Sequence, residues 1–92
     1  MDHIVVVYDD ATVSAPELRI KQGDTIEWKG PANATMKFQD RGCPLQNGPR
    51  FTIANTGTTG RNGVNPNQAE ASYKYDSQVG SKKVDPRIEI IP

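Results

Sequence analysis

The sequence predicts an all-β domain, a Greek-key sandwich or barrel of about seven or eight short strands. Three observations predict it. Apolar residues recur with period two rather than the period of about 3.6 that marks a helix. Gly, Pro, Asn and Asp interrupt these runs at short intervals. No stretch of ten residues carries a helical apolar stripe, and Glu70-Ala71 allow one short helical turn at most.

The elements follow in order. Ile4 to Tyr8 are continuously apolar, which predicts a strand covered on both faces. Leu18 and Ile20 share one parity. Ile26 and Trp28 share a face, with Thr25, Glu27 and Lys29 opposite. Gln22-Gly23-Asp24 predicts a tight turn between the two strands, and Gly30-Pro31 ends the second, because proline cannot donate to a ladder. Met36 and Phe38 alternate with Thr35 and Lys37, and Phe51 and Ile53 form a short strand. Tyr73, Tyr75, Ser77 and Val79 share a face. Gly80-Ser81 and Asp85-Pro86 bracket the last connection, and Ile88 and Ile90 close the chain.

Two loops break the pattern. Residues 39–49 form one. Residues 55–69, dense in Gly, Asn and Thr, form a longer one. A loop this long in a small domain is either functional or mobile, and the composition favours a mobile insertion.

The 92 residues suit one domain, 1–92. A chain of this size buries roughly 60–65% of its unfolded surface, enough for one modest core. Net charge is zero with the signs interspersed. That excludes a nucleic-acid surface, which needs a basic excess, and a polybasic membrane anchor. Lys82-Lys83 is the one basic pair and reads as a solvated turn. The longest aliphatic run, Ile4 to Val7, is too short for membrane insertion or a signal-peptide core. The expected location is the periplasm or extracellular space if a leader was removed, otherwise the cytoplasm. The single cysteine, Cys43, excludes an intrachain disulfide. Asn33-Ala34-Thr35 matches a glycosylation sequon, which matters only in a secreted eukaryotic protein.

The segment "LRIKQGDTIEW" from Leu18 to Trp28, the Tyr73-x-Tyr75 pair and the ending "DPRIEIIP" carry a family likeness. Together they resemble the cupredoxins, the small blue-copper sandwich proteins, over about two thirds of the chain. The resemblance implies a copper site of two imidazoles, a thiolate and a weak axial group. It places the first histidine four residues before Phe38, where this chain has Ala34. It places the thiolate two residues beyond Tyr75, where this chain has Ser77. It places the second histidine and the methionine in the following loop, yet no His or Met occurs after Met36. The resemblance therefore implies a cupredoxin-like scaffold without the type 1 copper ligands. Both replaced positions share parity with inward residues. The resemblance also makes the Phe51 and Tyr73 strands neighbours joined by a tight turn. Residues 55–69 would then be an insertion projecting from the end opposite the metal.

The remaining candidates read as ordinary. Cys43 could be a nucleophile or redox centre only with exposure and a nearby cation or base. Arg41 is close in sequence, but His3, the one imidazole, is not. A soft-metal site from Cys43, His3 and a methionine follows no ligand spacing. Trp28, Tyr73 and Tyr75 could form an aromatic platform, but their alternation with polar residues favours the core. Tyr8 is the odd aromatic, at a strand end before Asp9-Asp10. Those adjacent carboxylates point to opposite sides of an extended chain. The "GTTGRNG" run at 57–63 lacks the lysine and helix of a phosphate loop. The expectation is a non-enzymatic binding or structural module with no catalytic, cofactor or metal residues and a protein partner. The alternative is a metal-handling or redox protein using Cys43.

Overall fold

The computed structural model describes residues 1–38 and 42–92. Its strands are β1 (Asp2–Val6), β2 (Glu17–Lys21), β3 (Thr25–Lys29), β4 (Thr35–Phe38), β5 (Arg50–Thr52), β6 (Asn62–Gly63), β7 (Ser72–Val79), β8 (Lys82–Val84) and β9 (Arg87–Ile91). Among the described residues there is no helix, including at Glu70-Ala71. One sheet has the order β1-β3-β6. The other has the order β2-β9-β7-β4-β5, with β8 also on β7.

The long strand β7 organises the larger sheet. One edge holds β4, with Met36 opposite Ser77 and Phe38 opposite Tyr75. The other edge holds β9 along Ser72 to Lys74 and β8 along Ser77 to Val79. Asp85-Pro86 separates those two partners. Pro86 has no N–H to give, but its carbonyl accepts the Tyr75 amide at 3.0 Å, so the edge stays satisfied.

The sandwich is mixed rather than purely antiparallel: β1 pairs β3 in parallel, and β2 pairs β9 in parallel. The cause lies at residues 22–24. The turn there, with Gly23 at φ 84°, carries the chain from β2 in one sheet to β3 in the other. It is a crossing between layers, not a hairpin. Strand parity was legible, but parity does not say which strand lies alongside.

Both layers fill one core. Val5, Ile26 and Trp28 come from the smaller sheet, and Ile20, Met36, Phe38, Phe51, Tyr73, Tyr75, Ile88 and Ile90 from the larger. Trp28 lies at the centre, its ring 5.3 Å from Phe51, 5.5 Å from Tyr75 and 6.4 Å from Phe38. The edge-on geometry with Tyr75 and Phe38 is the arrangement that aromatic quadrupoles favour. The indole N–H donates to the Tyr75 hydroxyl at 3.3 Å, so neither buried polar atom is orphaned.

The long loop does not project as an insertion. The Lys29–Thr58 bridge and the bonds from Gly30 to the Gly57 carbonyl and from Thr59 to the Trp28 carbonyl lay it along β3. It then forms β6 opposite Thr25 and Ile26. Val64 is buried at 2% exposure and bridges Leu45. Nor are the Phe51 and Tyr73 strands neighbours: β4 lies between β5 and β7. The connection from β5 must therefore cross to the other layer and back, and that crossing needs the extra residues. Its polar composition hid this, because the packing rests on hydrogen bonds of its backbone and of polar side chains such as Thr58, Thr59 and Gln68, with Val64 its buried large apolar residue.

Replacing residues 56–67 by a two-residue turn is accordingly expected to unfold the domain or lower its urea midpoint sharply. Val64→Ala alone is expected to cost about 0.5–3 kcal/mol. A deletion variant that melts like the parent would show the loop to be dispensable.

Candidate functional site

The positions that the resemblance assigns to copper are closed by the fold. Ala34 leads into β4 and is 1% exposed, and Ser77 lies in β7 and is fully buried. The β4–β7 register makes them diagonal neighbours on one inward face, at the roughly 7–8 Å typical of such pairs. Ser77 Oγ donates to the Ala11 carbonyl at 2.9 Å. Ala11 is itself fully buried and held at φ 73°, in a turn closed by the bond from its amide to the Tyr8 carbonyl. The turn from Tyr8 to Thr12 thus inserts backbone where a ligand side chain would need room.

A methyl group and a hydroxyl already committed to a carbonyl do not fit the donor set of blue copper. Among the described residues, no three His, Cys, Asp or Glu side chains converge. The metal implied by the resemblance has no seat among the described residues.

His3 belongs to a different constellation. Its Nε2 lies 2.9 Å from Asp24 Oδ2. The same carboxylate accepts the α-amino group of Met1 at 3.1 Å and the Lys21 amide at 3.0 Å. Asp24 therefore ties β1 to the turn between β2 and β3. Burial alone would raise its pKa, but the bonds from His3, the Lys21 amide and the α-amino group outweigh that and lower it to about 2. His3 is thus partly buried and held against Asp24, in neither role the sequence offered it, as partner of a Cys43 nucleophile or as soft-metal ligand.

Cys43 is half-buried and packs against the core. Burial pushes its thiol pKa up, with the Leu45 backbone pulling weakly the other way. A reactive thiolate needs the opposite shift. Arg41 lies outside the described residues. The sulfur also explains Gly48: a Cβ there would meet Sγ at 2.2 Å, so only glycine lets the two segments approach.

The aromatic candidates are core. Trp28, Tyr73 and Tyr75 are all buried. Burial drives the Tyr75 pKa up to about 12, offset in part by its bond with Trp28. The Tyr73 hydroxyl donates to the Ala69 carbonyl at 2.9 Å and accepts from Gln68 Nε2 at 2.8 Å. Asp9 and Asp10 are exposed at the turn, where the Thr12 hydroxyl and amide bond Asp10 Oδ1. Lys82 and Lys83 lie in β8 rather than in a turn, with Lys83 3.7 Å from Asp76.

One feature escaped the sequence reading. The large hydrophobic side chains exposed among the described residues are Met1, Ile4, Val6 and Tyr8. The strand expected to be covered on both faces is covered on one: Val5 and Val7 point inward, while Ile4 and Tyr8 are about half exposed, at 55% and 50%. An unbroken apolar run hides its own alternation, and only Tyr8, with its polar tip, hinted at an exposed face. On the larger sheet a shallow groove of about 310 Å³ opens between Val13, Pro16 and Glu17 on one side and Val84, Pro86 and Arg87 on the other.

The three-dimensional arrangement has solved counterparts. A pseudoazurin from Sinorhizobium meliltoi matches with a TM-score of 0.62 at 13% identity, over 99% of this chain and 74% of that one. A pseudoazurin from Hyphomicrobium denitrificans matches with a TM-score of 0.58 at 12% identity, over 98% and 75%. A reduced amicyanin mutant matches with a TM-score of 0.56 at 15% identity, over 96% and 80%. The fold is that of the cupredoxins. No protein-family model matches the sequence, and no curated protein does. At these identities the likeness carries the cupredoxin scaffold alone and leaves its use in this chain to the side chains.

Two measurements probe the site. Cu(II) added to the pure protein is expected to produce no intense sulfur-to-copper band in the visible spectrum. Such a band, lost in Cys43→Ala, would mean that the cysteine has found partners. The second measurement concerns acid. The lowered pKa of Asp24 contributes stability that is present above the unfolded value of about 3.9 and is lost as pH falls toward about 2. Urea midpoints should fall across that window and fall less steeply in Asp24→Asn. Equal slopes would deny the carboxylate this role.

Proposed function

We propose that the chain is a non-enzymatic binding module that recognises a protein partner through the outer face of β1. The observation that carries this reading is the row Ile4, Val6, Tyr8. These are large apolar side chains left in water along β1 and just beyond its end, next to inner residues, Val5 and Val7, that are well buried. Scattered exposed apolar residues need no explanation, but their concentration on one strand marks a contact surface. The closed interior supports the same reading, since Ala34 and Ser77 offer no reactive centre and Cys43 is shielded with a raised pKa.

A photo-reactive residue placed at position 6 tests the reading, with one at exposed Lys37 on the other sheet as control. Position 6 is expected to capture a protein and position 37 is not. With the probe kept at position 6, Ile4→Lys combined with Tyr8→Lys should abolish capture while shifting stability by only about 0.5 kcal/mol per site, the usual surface range. Capture that ignores these substitutions would move the recognition surface elsewhere.

A further inference from the structure

Resting on the reading of the β1 face as the recognition surface, we propose that its occupant is a second copy of the chain, packed face to face about a dyad. The face rather than the edge is the available element. In the parallel register with β3, the amides and carbonyls of Asp2, Ile4 and Val6 point away from β3, toward the open side of the sheet. That side is already blunted. The Val6 amide donates to Ser14 Oγ and its carbonyl accepts the Ser14 amide, both at 2.9 Å. The Tyr8 amide donates to the Thr12 carbonyl at 2.8 Å. Too little free edge remains for strand addition.

The outer face is self-complementary. Register places Ile4 beside Glu27 and Val6 beside Lys29, two rows of one apolar and one charged residue. A two-fold interface sets residue i against j and j against i. A dyad lying in the interface plane, across the strands and between these rows, sets Ile4 on Val6 of the second copy. The same operation sets Glu27 on Lys29 of the second copy, twice over. A dyad along the strands would instead set Ile4 on Glu27, an apolar group on a charge. The chemistry thus selects one symmetry operator. Glu27 is held for this contact, because the Thr58 hydroxyl bonds its Oε2. Lys29 is exposed and has no ion-pair partner among the described residues.

The size of the face sets the strength. A stable complex buries about 800 Å² per partner, roughly 15% of this chain's 5218 Å². The five-residue strands β1 and β3 span only about 17 Å and β6 adds two residues, so this face supplies less than that. The dimer is weak and reversible.

Sedimentation equilibrium across a concentration series into the millimolar range tests this. The parent is expected to shift from monomer to dimer. Glu27→Lys turns two attractions into two repulsions and should weaken association about tenfold. Adding Lys29→Glu to it should restore the parent value, which no unrelated contact surface would do. Ile4→Lys with Val6→Lys should leave a folded monomer. A parent that stays monomeric overturns the proposal, as does a dimer that the charge swap fails to rescue. If the monomeric parent still captures another protein from position 6, the self-pairing is wrong and the binding reading stands. If position 6 captures nothing, both fall.

Discussion

Trp28 must be covered on every side by two small sheets, and that requirement sets much of the architecture. Its ring needs Phe38 from β4, Phe51 from β5 and Tyr75 from β7. Those strands belong to the sheet opposite its own. β4 must therefore lie between β5 and β7, with their inward residues in register: Met36 faces both Phe51 and Ser77. The indole N–H must also be satisfied, and the Tyr75 hydroxyl is the group that reaches it. A buried aromatic of this kind typically accounts for about 3–5 kcal/mol on truncation, a large share of the roughly 5–15 kcal/mol that holds a domain together.

From that centre the closed copper positions become intelligible. Ala34 and Ser77 sit on the inward face of the β4–β7 pair, alongside Met36. A cavity there would cost stability in a core this small, and an orphaned hydroxyl would add its own penalty. The turn carrying Ala11 answers both costs. It supplies volume, and its carbonyl accepts the hydrogen bond of the Ser77 hydroxyl. The positive φ of Ala11 is part of that solution, since the carbonyl is aimed by a backbone conformation that alanine adopts only when its surroundings hold it there.

Much of the fold was legible in the sequence for a simple reason. Period-two alternation reports which residues share a face, and the shared faces read in β3, β4 and β7 are the ones that turn inward. Pairing was less legible. Alternation contains no information about neighbours, so the parallel ladders β1–β3 and β2–β9 and the layer-crossing turn at 22–24 stayed hidden. The loop over residues 55–69 looked unstructured because backbone bonds to β3 leave no trace in composition. At the candidate site, Ala34 and Ser77 were placed by resemblance. Their closure by Ala11, 66 residues from Ser77 in the chain, is a tertiary fact that no local pattern carries.

β1 is the element where sequence and structure part most clearly, and the reason is physical. A strand buried on both faces and a strand with one apolar face in water can have the same composition. The difference lies in whether a third layer exists, and the described residues form two sheets. The smaller sheet has only β3 and β6 beside β1, and its outer side is open. Apolar residues there gain nothing from the domain's own core, although β-branched side chains suit a strand on any face. Propensity thus accounts for Ile4 and Val6 as strand formers. It does not account for Tyr8, which lies beyond the strand and keeps half its surface in water. An aromatic at the end of an aliphatic row fits the contact surface proposed for this face: apolar area with a polar tip that tolerates water when the face is bare.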